Sequence, residues 1–146
     1  MFNRILTVCV GNICRSPTAE ILLRAALPEP EHQVSSAGVG ALVGKGVEAT
    51  AASLLKAHGH ATDKHAARML TRDMLHHVDL VLAMEKPHIE HILSIAPEAR
   101  GKVFLLGKWQ NEREIADPYR RGEAAFALAY DQIAEGVAAW AARIKR

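Results

Sequence analysis

Apolar positions recur along this chain in two rhythms, one suited to buried strands and one to helices. Ile5-Leu6-Thr7-Val8 is a short apolar run closed by glycine and polar residues, as in a buried parallel strand. Ser16-Pro17 reads as a helix N-cap followed by proline at the first helical position. Ala19, Leu22, Leu23 and Ala26 continue at helical spacing until Pro28. A second strand is expected over about 33–37, with Gly38 and Gly40 opening a loop, then a helix over 47–57 closed by Gly59. Thr71 is a candidate cap for a short helix leading into a third strand at 80–83; 86–96 reads as helix and 103–106 as a fourth strand. The last segment has the clearest period. Phe126, Tyr130, Ile133, Val137, Trp140 and Ile144 are spaced 4, 3, 4, 3 and 4, one face of a terminal helix packed on the sheet.

Strands alternating with helices point to an α/β fold around a parallel sheet. The expected architecture is a three-layer sandwich: a four-stranded parallel sheet, order 2-1-3-4, flanked by about five helices. No repeat, low-complexity tract or linker interrupts the pattern, so residues 1–146 are expected to form a single domain. A chain of this length buries enough surface to need no metal or disulfide staple. Eighteen basic and 16 acidic residues give a net charge of +2, which permits an anionic substrate without implying nucleic acid. No apolar run reaches the ~20 residues of a membrane span. Met1-Phe2-Asn3-Arg4 leads straight into the first strand without the apolar stretch of a signal peptide. A cytoplasmic location is therefore expected, where Cys9 and Cys14 are reactive or buried thiols and not a structural disulfide.

The first loop carries the chemistry. Cys9-Val10-Gly11-Asn12-Ile13-Cys14-Arg15-Ser16-Pro17 leaves the carboxyl end of the first strand and enters a helix, the place where parallel α/β sheets bind ligands. A helix N-terminus offers unpaired N–H groups and a positive dipole end to a phosphate-like anion. Gly11 lets the backbone approach a ligand, and Arg15 supplies a planar fork for two phosphate oxygens. The same field favours a thiolate nucleophile at Cys9. Five residues separate Cys9 from Arg15, enough for the loop to curl around one tetrahedral anion.

This loop resembles the signature loop of low-molecular-weight protein tyrosine phosphatases, which has a Cys-x5-Arg-Ser pattern near the N-terminus. Ser36-Ala37-Gly38, His65-Ala66-Ala67-Arg68, Met84-Glu85 and Asp117-Pro118-Tyr119 fall in the family's order and approximate spacing, so the resemblance covers almost the whole chain. It implies a protein-tyrosine-phosphatase, a phosphoric monoester hydrolase that needs no cofactor or metal. Cys9 would attack phosphorus and form a cysteinyl-phosphate. Arg15 would hold the equatorial oxygens, and Asp117 would protonate the leaving tyrosine oxygen, then activate the hydrolytic water. Val10, Gly11, Asn12, Ile13, Cys14 and Ser16 complete the phosphate-binding loop, and Asn12, Ser16, Ser36 and His65 form its hydrogen-bonding support. Cys14, in this resemblance, captures oxidised Cys9 as a disulfide; its other reading is a residue packed under the loop. Phosphate and other oxyanions are implied inhibitors.

Read from the residues alone, Asp117 sits in a polar stretch where Asp-Pro equally serves as a turn or helix lead-in. Proline after it keeps it extended. Rival chemistries fit less well. Four residues lie between Cys9 and Cys14, not the two of a zinc or redox motif, and the histidines at 58, 60, 88 and 91 complete no ligand set. The run Gly38 to Gly46 fails the nucleotide-loop pattern at Val39 and Gly46 and the dinucleotide fingerprint at Val43; its glycines are expected to shape one cleft wall. An arsenate reductase of similar fold that relays through downstream cysteines is disfavoured, since none follows Cys14. A non-catalytic phosphate-binding module would not need both nucleophile and acid.

Two departures from the family's animal members bear on specificity. Leu42 falls where those proteins place a large aromatic, leaving Leu42 and Tyr119 as the cleft walls, and Tyr119 is followed by Arg120 instead of a second tyrosine. Both features, with the Gly-Ala-Leu-Val-Gly-Lys-Gly run and Met84 to Glu90, resemble the bacterial branch associated with capsule and exopolysaccharide export. The implied partner is the tyrosine-phosphorylated tail of a membrane autokinase. A phosphate loop at the floor of a cleft selects phosphotyrosine over phosphoserine by depth. Arg120 and Arg121 either read neighbouring phosphates on such a tail or are solvated. Trp109 is either a loop anchor or part of the cleft rim, and most histidines other than His65 are expected to be solvated.

Overall fold

The computed structural model describes residues 2–145; Met1 and Arg146, the two ends of the expected 1–146 domain, lie outside the described residues. The elements run β1 (Arg4–Cys9), α1 (Arg15–Ala26), β2 (Gln33–Gly38), α2 (Ala49–Ala57), α3 (Arg72–His76), β3 (Leu80–Ala83), α4 (Lys86–Ile95), a 3-10 turn (Pro97–Lys102), β4 (Val103–Leu105) and α5 (Glu123–Ile144). The four strands are parallel, in the order β2-β1-β3-β4.

Both faces of this sheet are covered, which is why its central strands read as unbroken apolar runs. Ile5 and Cys9 of β1, with Leu80 and Leu82 of β3, pack against α1 and α5 through Leu23, Ile133, Val137 and Trp140. Leu6, Val8, Val81 and Ala83 face the other way, toward Leu75 of α3 and Ile92 of α4. Every member of the terminal stripe, from Phe126 to Ile144, is buried. Trp140 satisfies its indole N–H on the Leu105 carbonyl (3.2 Å). Trp109 is an anchor for this end of the molecule: its ring meets Trp140 edge-on at 5.5 Å and carries Arg143 at 3.8 Å.

Three local expectations are corrected. Helix α1 begins at Arg15 with Cys14 at the N-cap, so Ser16 is not the cap and its hydroxyl serves the site described below. Helix α2 begins at Ala49 because the Glu48 carboxylate accepts from the amides of Thr50 and Ala51 and sets the start there. The 3-10 turn after α4 was not expected from the pattern; Glu98 ties it to α3 by accepting from Arg72 (2.8 Å) and contacting His76. Those bonds, His76 first, pull the exposed Glu98 carboxyl down to about 2. Thr71 caps α3 as its sequence suggests, accepting from Met74 N–H.

The sheet register sets up the site. Cys9 at the end of β1 pairs with Gly38 at the end of β2. The chain after Cys9 passes so close over Gly38 that a Cβ there would collide with the Val10 carbonyl oxygen. Ile115 returns alongside β3, its N–H on the Met84 carbonyl (3.0 Å), and brings the 115–119 segment to the same carboxyl edge.

Candidate active site

Between Cys9 and Arg15 the backbone turns its carbonyls outward. Cys9 O accepts from Val39 N, Val10 O from Gly40 N, Gly11 O from Leu42 N, Ile13 O from Glu48 N and Cys14 O from Thr18 N, all at 2.7–3.0 Å. Asn12 O accepts from His65 Nε2 at 2.6 Å. Asn12 takes a positive φ of 58° to make the turn. Among the described residues no amide N–H from Val10 to Cys14 donates to a backbone carbonyl outside the strands and helices or to a side chain. Successive amides freed in this way form a concave anion nest, at the N-terminus of the 12-residue helix α1.

The support for Cys9 can be read proton by proton. The Asn12 amide oxygen accepts from the Arg68 N–H (2.9 Å), which fixes which end of the amide is NH2. That NH2 donates to both Ser16 Oγ (2.8 Å) and Ser36 Oγ (2.9 Å). Each serine, having accepted from Asn12, must direct its own proton elsewhere. Ser36 gives its proton to Glu20 (2.5 Å), and Ser16 Oγ lies 3.0 Å from Cys9 Sγ. The Ser16 N–H also points at Cys9 Sγ (3.4 Å). Two donors thus converge on a buried sulfur, the arrangement that suits a thiolate. Thr7 Oγ1 donates to the Ser16 carbonyl (2.8 Å) and ties the first turn of α1 to β1.

Arg15 is 2% exposed. Its Nη1 donates to Glu85 Oε2 (2.5 Å) and to the Ile115 carbonyl (2.6 Å), while Nη2 lies 3.9 Å from Asp117 Oδ2. Glu85 therefore balances a buried guanidinium, and Ile115 links it to the segment that carries Asp117. The Asp117 carboxylate is half exposed and caps its own turn, accepting from Tyr119 N–H at 3.1 Å. Behind Glu85 stands His88, which is buried, contrary to the expectation of a solvated ring. His88 Nδ1 accepts from Glu85 N–H (3.2 Å), so the ring proton belongs on Nε2, 3.7 Å from Glu85 Oε2. Burial first, and then the charge of Arg15, hold the His88 pKa below the usual histidine value.

Leu42 and Tyr119 are both partly exposed, at 48% and 43%. Leu42 is bonded to the loop through Gly11 O, and the Arg120 guanidinium lies 5.2 Å over the Tyr119 ring. Cys9 and Cys14 are both free and buried. Cys14 packs with Ala51 and Phe126; burial, then the nearby charge of Cys9, push its thiol up to about 12. Among the described residues no group of three or more His, Cys, Asp and Glu is placed to hold a metal ion, and no helix is long and apolar enough to cross a membrane.

Sequence reasoning missed Glu20, Ile115 and His88, and gave Arg68 and Glu85 no role. For Glu20 a signal existed: it lies four residues after Ser16, on the same face of α1, among buried neighbours. The Arg15 contacts span 70 and 100 residues of chain and have no local signature.

Residues 4–146 match the family model described as low molecular weight phosphotyrosine protein phosphatase. The chain belongs to that family of phosphoric monoester hydrolases. It is 52% identical over 141 residues, 97% of this chain and 95% of the relative, to the low molecular weight protein-tyrosine-phosphatase Wzb of Escherichia coli K12. The structure of the Erwinia amylovora tyrosine phosphatase AmsI superposes with a TM-score of 0.95 at 45% identity, covering 100% of this chain and 95% of that one. Vibrio vulnificus Wzb in complex with benzylphosphonate superposes at 0.93 with 44% identity, covering 98% and 99%.

Proposed function

We propose that this protein works as one domain over 1–146 and hydrolyses phosphotyrosine through a cysteinyl-phosphate. Cys9 attacks phosphorus from beneath; the S–P bond forms as the P–O bond to tyrosine breaks, and Asp117 passes its proton to the departing phenolic oxygen. Water then attacks the phosphocysteine, Asp117 takes its proton, and Cys9 leaves as thiolate with Ser16 and the Ser16 amide as donors. The loop amides and Arg15 hold the three equatorial oxygens throughout, a fixed array of donors that needs no reorganisation as charge moves. Inorganic phosphate and similar oxyanions, having the shape of the bound group, inhibit.

One observation carries this reading: a buried Cys9 lies under a loop whose carbonyls all point outward, with Arg15 and Asp117 at its rim. Leu42 and Tyr119 supply apolar walls for a ring, and benzylphosphonate, the ligand of the Vibrio relative, is itself a ring joined to a phosphate-like head. The substrate that fits best is a phosphotyrosine on a flexible protein tail. Within the capsule- and exopolysaccharide-associated branch this is the tail of a membrane tyrosine autokinase, met in the cytoplasm. The test is steady-state turnover of phosphotyrosine and phosphoserine peptides in chelator. Phosphotyrosine should lead by about 10²-fold or more; equal turnover overturns the assignment, and no turnover of either returns the chain to a phosphate-binding module.

A further inference from the structure

A cavity of about 460 Å³ opens between α1, β2 and the 61–68 loop, and no residue from 9 to 16 lines it. Its walls include Glu20, Ser36, His65 and Arg68. These are the groups that hold Asn12 in place, three of them directly and Glu20 through Ser36. Anything bound in the cavity therefore touches the second layer of the catalytic loop without entering the loop.

The charges around the cavity say what it would take. The Arg68 guanidinium uses only Nε within the protein, on the Ser36 carbonyl (2.9 Å), and its two Nη groups make no hydrogen bond among the described residues. Lys64 likewise makes no ion pair among the described residues. Glu20 is already bonded to both Ser36 and Arg24. Asp63 is the carboxylate at the cavity that opposes these cations. A pair of free Nη groups is the geometry that grips a carboxylate or phosphate through two oxygens. We propose that this cavity is a regulatory site for a small oxyanion-bearing molecule, acting on the catalytic loop through Asn12. The inference rests on the phosphatase reading only for its consequence, not for binding itself.

The sign of the effect follows from the bonds. An anion on the Arg68 Nη groups fixes the guanidinium whose Nε donates to the Ser36 carbonyl, and one beside His65 polarises the Nε2–H that already donates to the Asn12 carbonyl. Both changes hold the loop in its binding shape, so the cavity ligand and a loop oxyanion should favour each other, and by linkage to the same degree.

The test is a titration with citrate as the carboxylate probe and glycerol 3-phosphate as the phosphate-ester probe, at fixed ionic strength. It is followed by calorimetry and by the amide NMR signals of Ser36, His65 and Arg68, with and without vanadate in the loop. We expect at least one probe to bind the vanadate-loaded protein about twofold or more tighter than the free protein, and the tighter probe names the ligand class. Lys64→Ala should weaken that binding by about threefold, the worth of an exposed charge, and Asp63→Asn should strengthen it. Mutual exclusion with vanadate, indifference to both substitutions, or no shift at the three amides overturns the site. Titration of the vanadate-free Cys9→Ser protein should show the same amide shifts. If phosphotyrosine turnover fails while those shifts persist, it is the phosphatase reading that falls, not the site.

Discussion

At Cys9 the decisive feature is which way each proton points. The Asn12 NH2 group donates to two serine oxygens, so Ser16 is left with a proton to give to sulfur, which in the proposed mechanism serves both the attack of Cys9 and its departure from phosphocysteine. Asp117 is the proposed acid at the other end of the reaction. Asp117→Asn cannot donate a proton, so it should lower kcat by about 10²–10⁴-fold for phenyl phosphates with poor leaving groups and far less for activated ones. The slope of log kcat against leaving-group pKa measures this; a uniform loss across the series would make Asp117 a structural residue of its turn. Cys14 gives a second prediction at this scale. Peroxide oxidises a thiolate to a sulfenic acid, which condenses with a neighbouring thiol to a disulfide and releases water. Since Cys14 is held protonated, with its thiol pushed up to about 12, it traps that sulfenic acid slowly. Brief, dilute peroxide should be fully reversible by dithiothreitol, and concentrated peroxide should over-oxidise Cys9 even with Cys14 present. Cys14→Ser should recover less than the parent at the low dose; equal recovery would make Cys14 a packing residue only.

At the scale of elements, the loop is shaped from outside by the strands and turns it crosses. Gly38 is required because the loop rides on it. Gly38→Ala should cost about 1–3 kcal/mol in a urea unfolding series, as other overpacked sites do, and lower activity further by displacing Val10 and Asn12. A Gly40→Ala control, whose added Cβ meets only Val10 Cγ1 at 3.7 Å, should do neither. The junction of β3 and α4 carries a pH term. His88 is neutral in the fold because its pKa is lowered by burial and Arg15, whereas in the unfolded chain it titrates near 6.5. The unfolded chain then binds more protons, so this contribution is complete above about pH 6.5 and is lost as pH falls below it. His88→Asn, which keeps an acceptor for Glu85 N–H, should flatten the fall in Tm between pH 7.5 and 5.5. An unchanged slope would show that other groups carry it. These elements also show what the sequence made legible. The terminal helix, the strands and the Cys9–Ser16 loop announce themselves by period and motif, because each is a local pattern. Glu85 and Ile115 do not, because what makes them matter is a guanidinium far away in the chain, and His88 looks like any polar helix residue until α4 docks with that face on Arg15.

For the molecule as a whole, the question is how a cleft with small walls meets a large substrate. Arg120 and Arg121 lie in the turn before α5, not within it, both exposed. Arg120 adopts a positive φ of 61° and places its guanidinium over the Tyr119 ring. It thereby steadies the Tyr119 ring, the proposed wall of the cleft, through an exposed cation–π contact worth about 0.5–1 kcal/mol, while Arg121 forms no ion pair among the described residues. With a net charge of only +2, the molecule has little general attraction for a polyanionic tail, so any preference for multiply phosphorylated tyrosine clusters must be local. Replacing both arginines with alanine should lower kcat/KM on a multiply phosphorylated tyrosine peptide by about fivefold at low salt, and much less near ~1 M salt, where the Debye length falls to about 3 Å and exposed charges are screened. On a singly phosphorylated peptide the loss should be about twofold and largely salt-independent, since only the Tyr119 wall is loosened. Arg120→Ala alone should reproduce the second effect and Arg121→Ala most of the difference between the two peptides. Equal losses on both peptides at every salt concentration would confine the arginines to steadying the wall and leave recognition of the tail to the depth of the cleft alone.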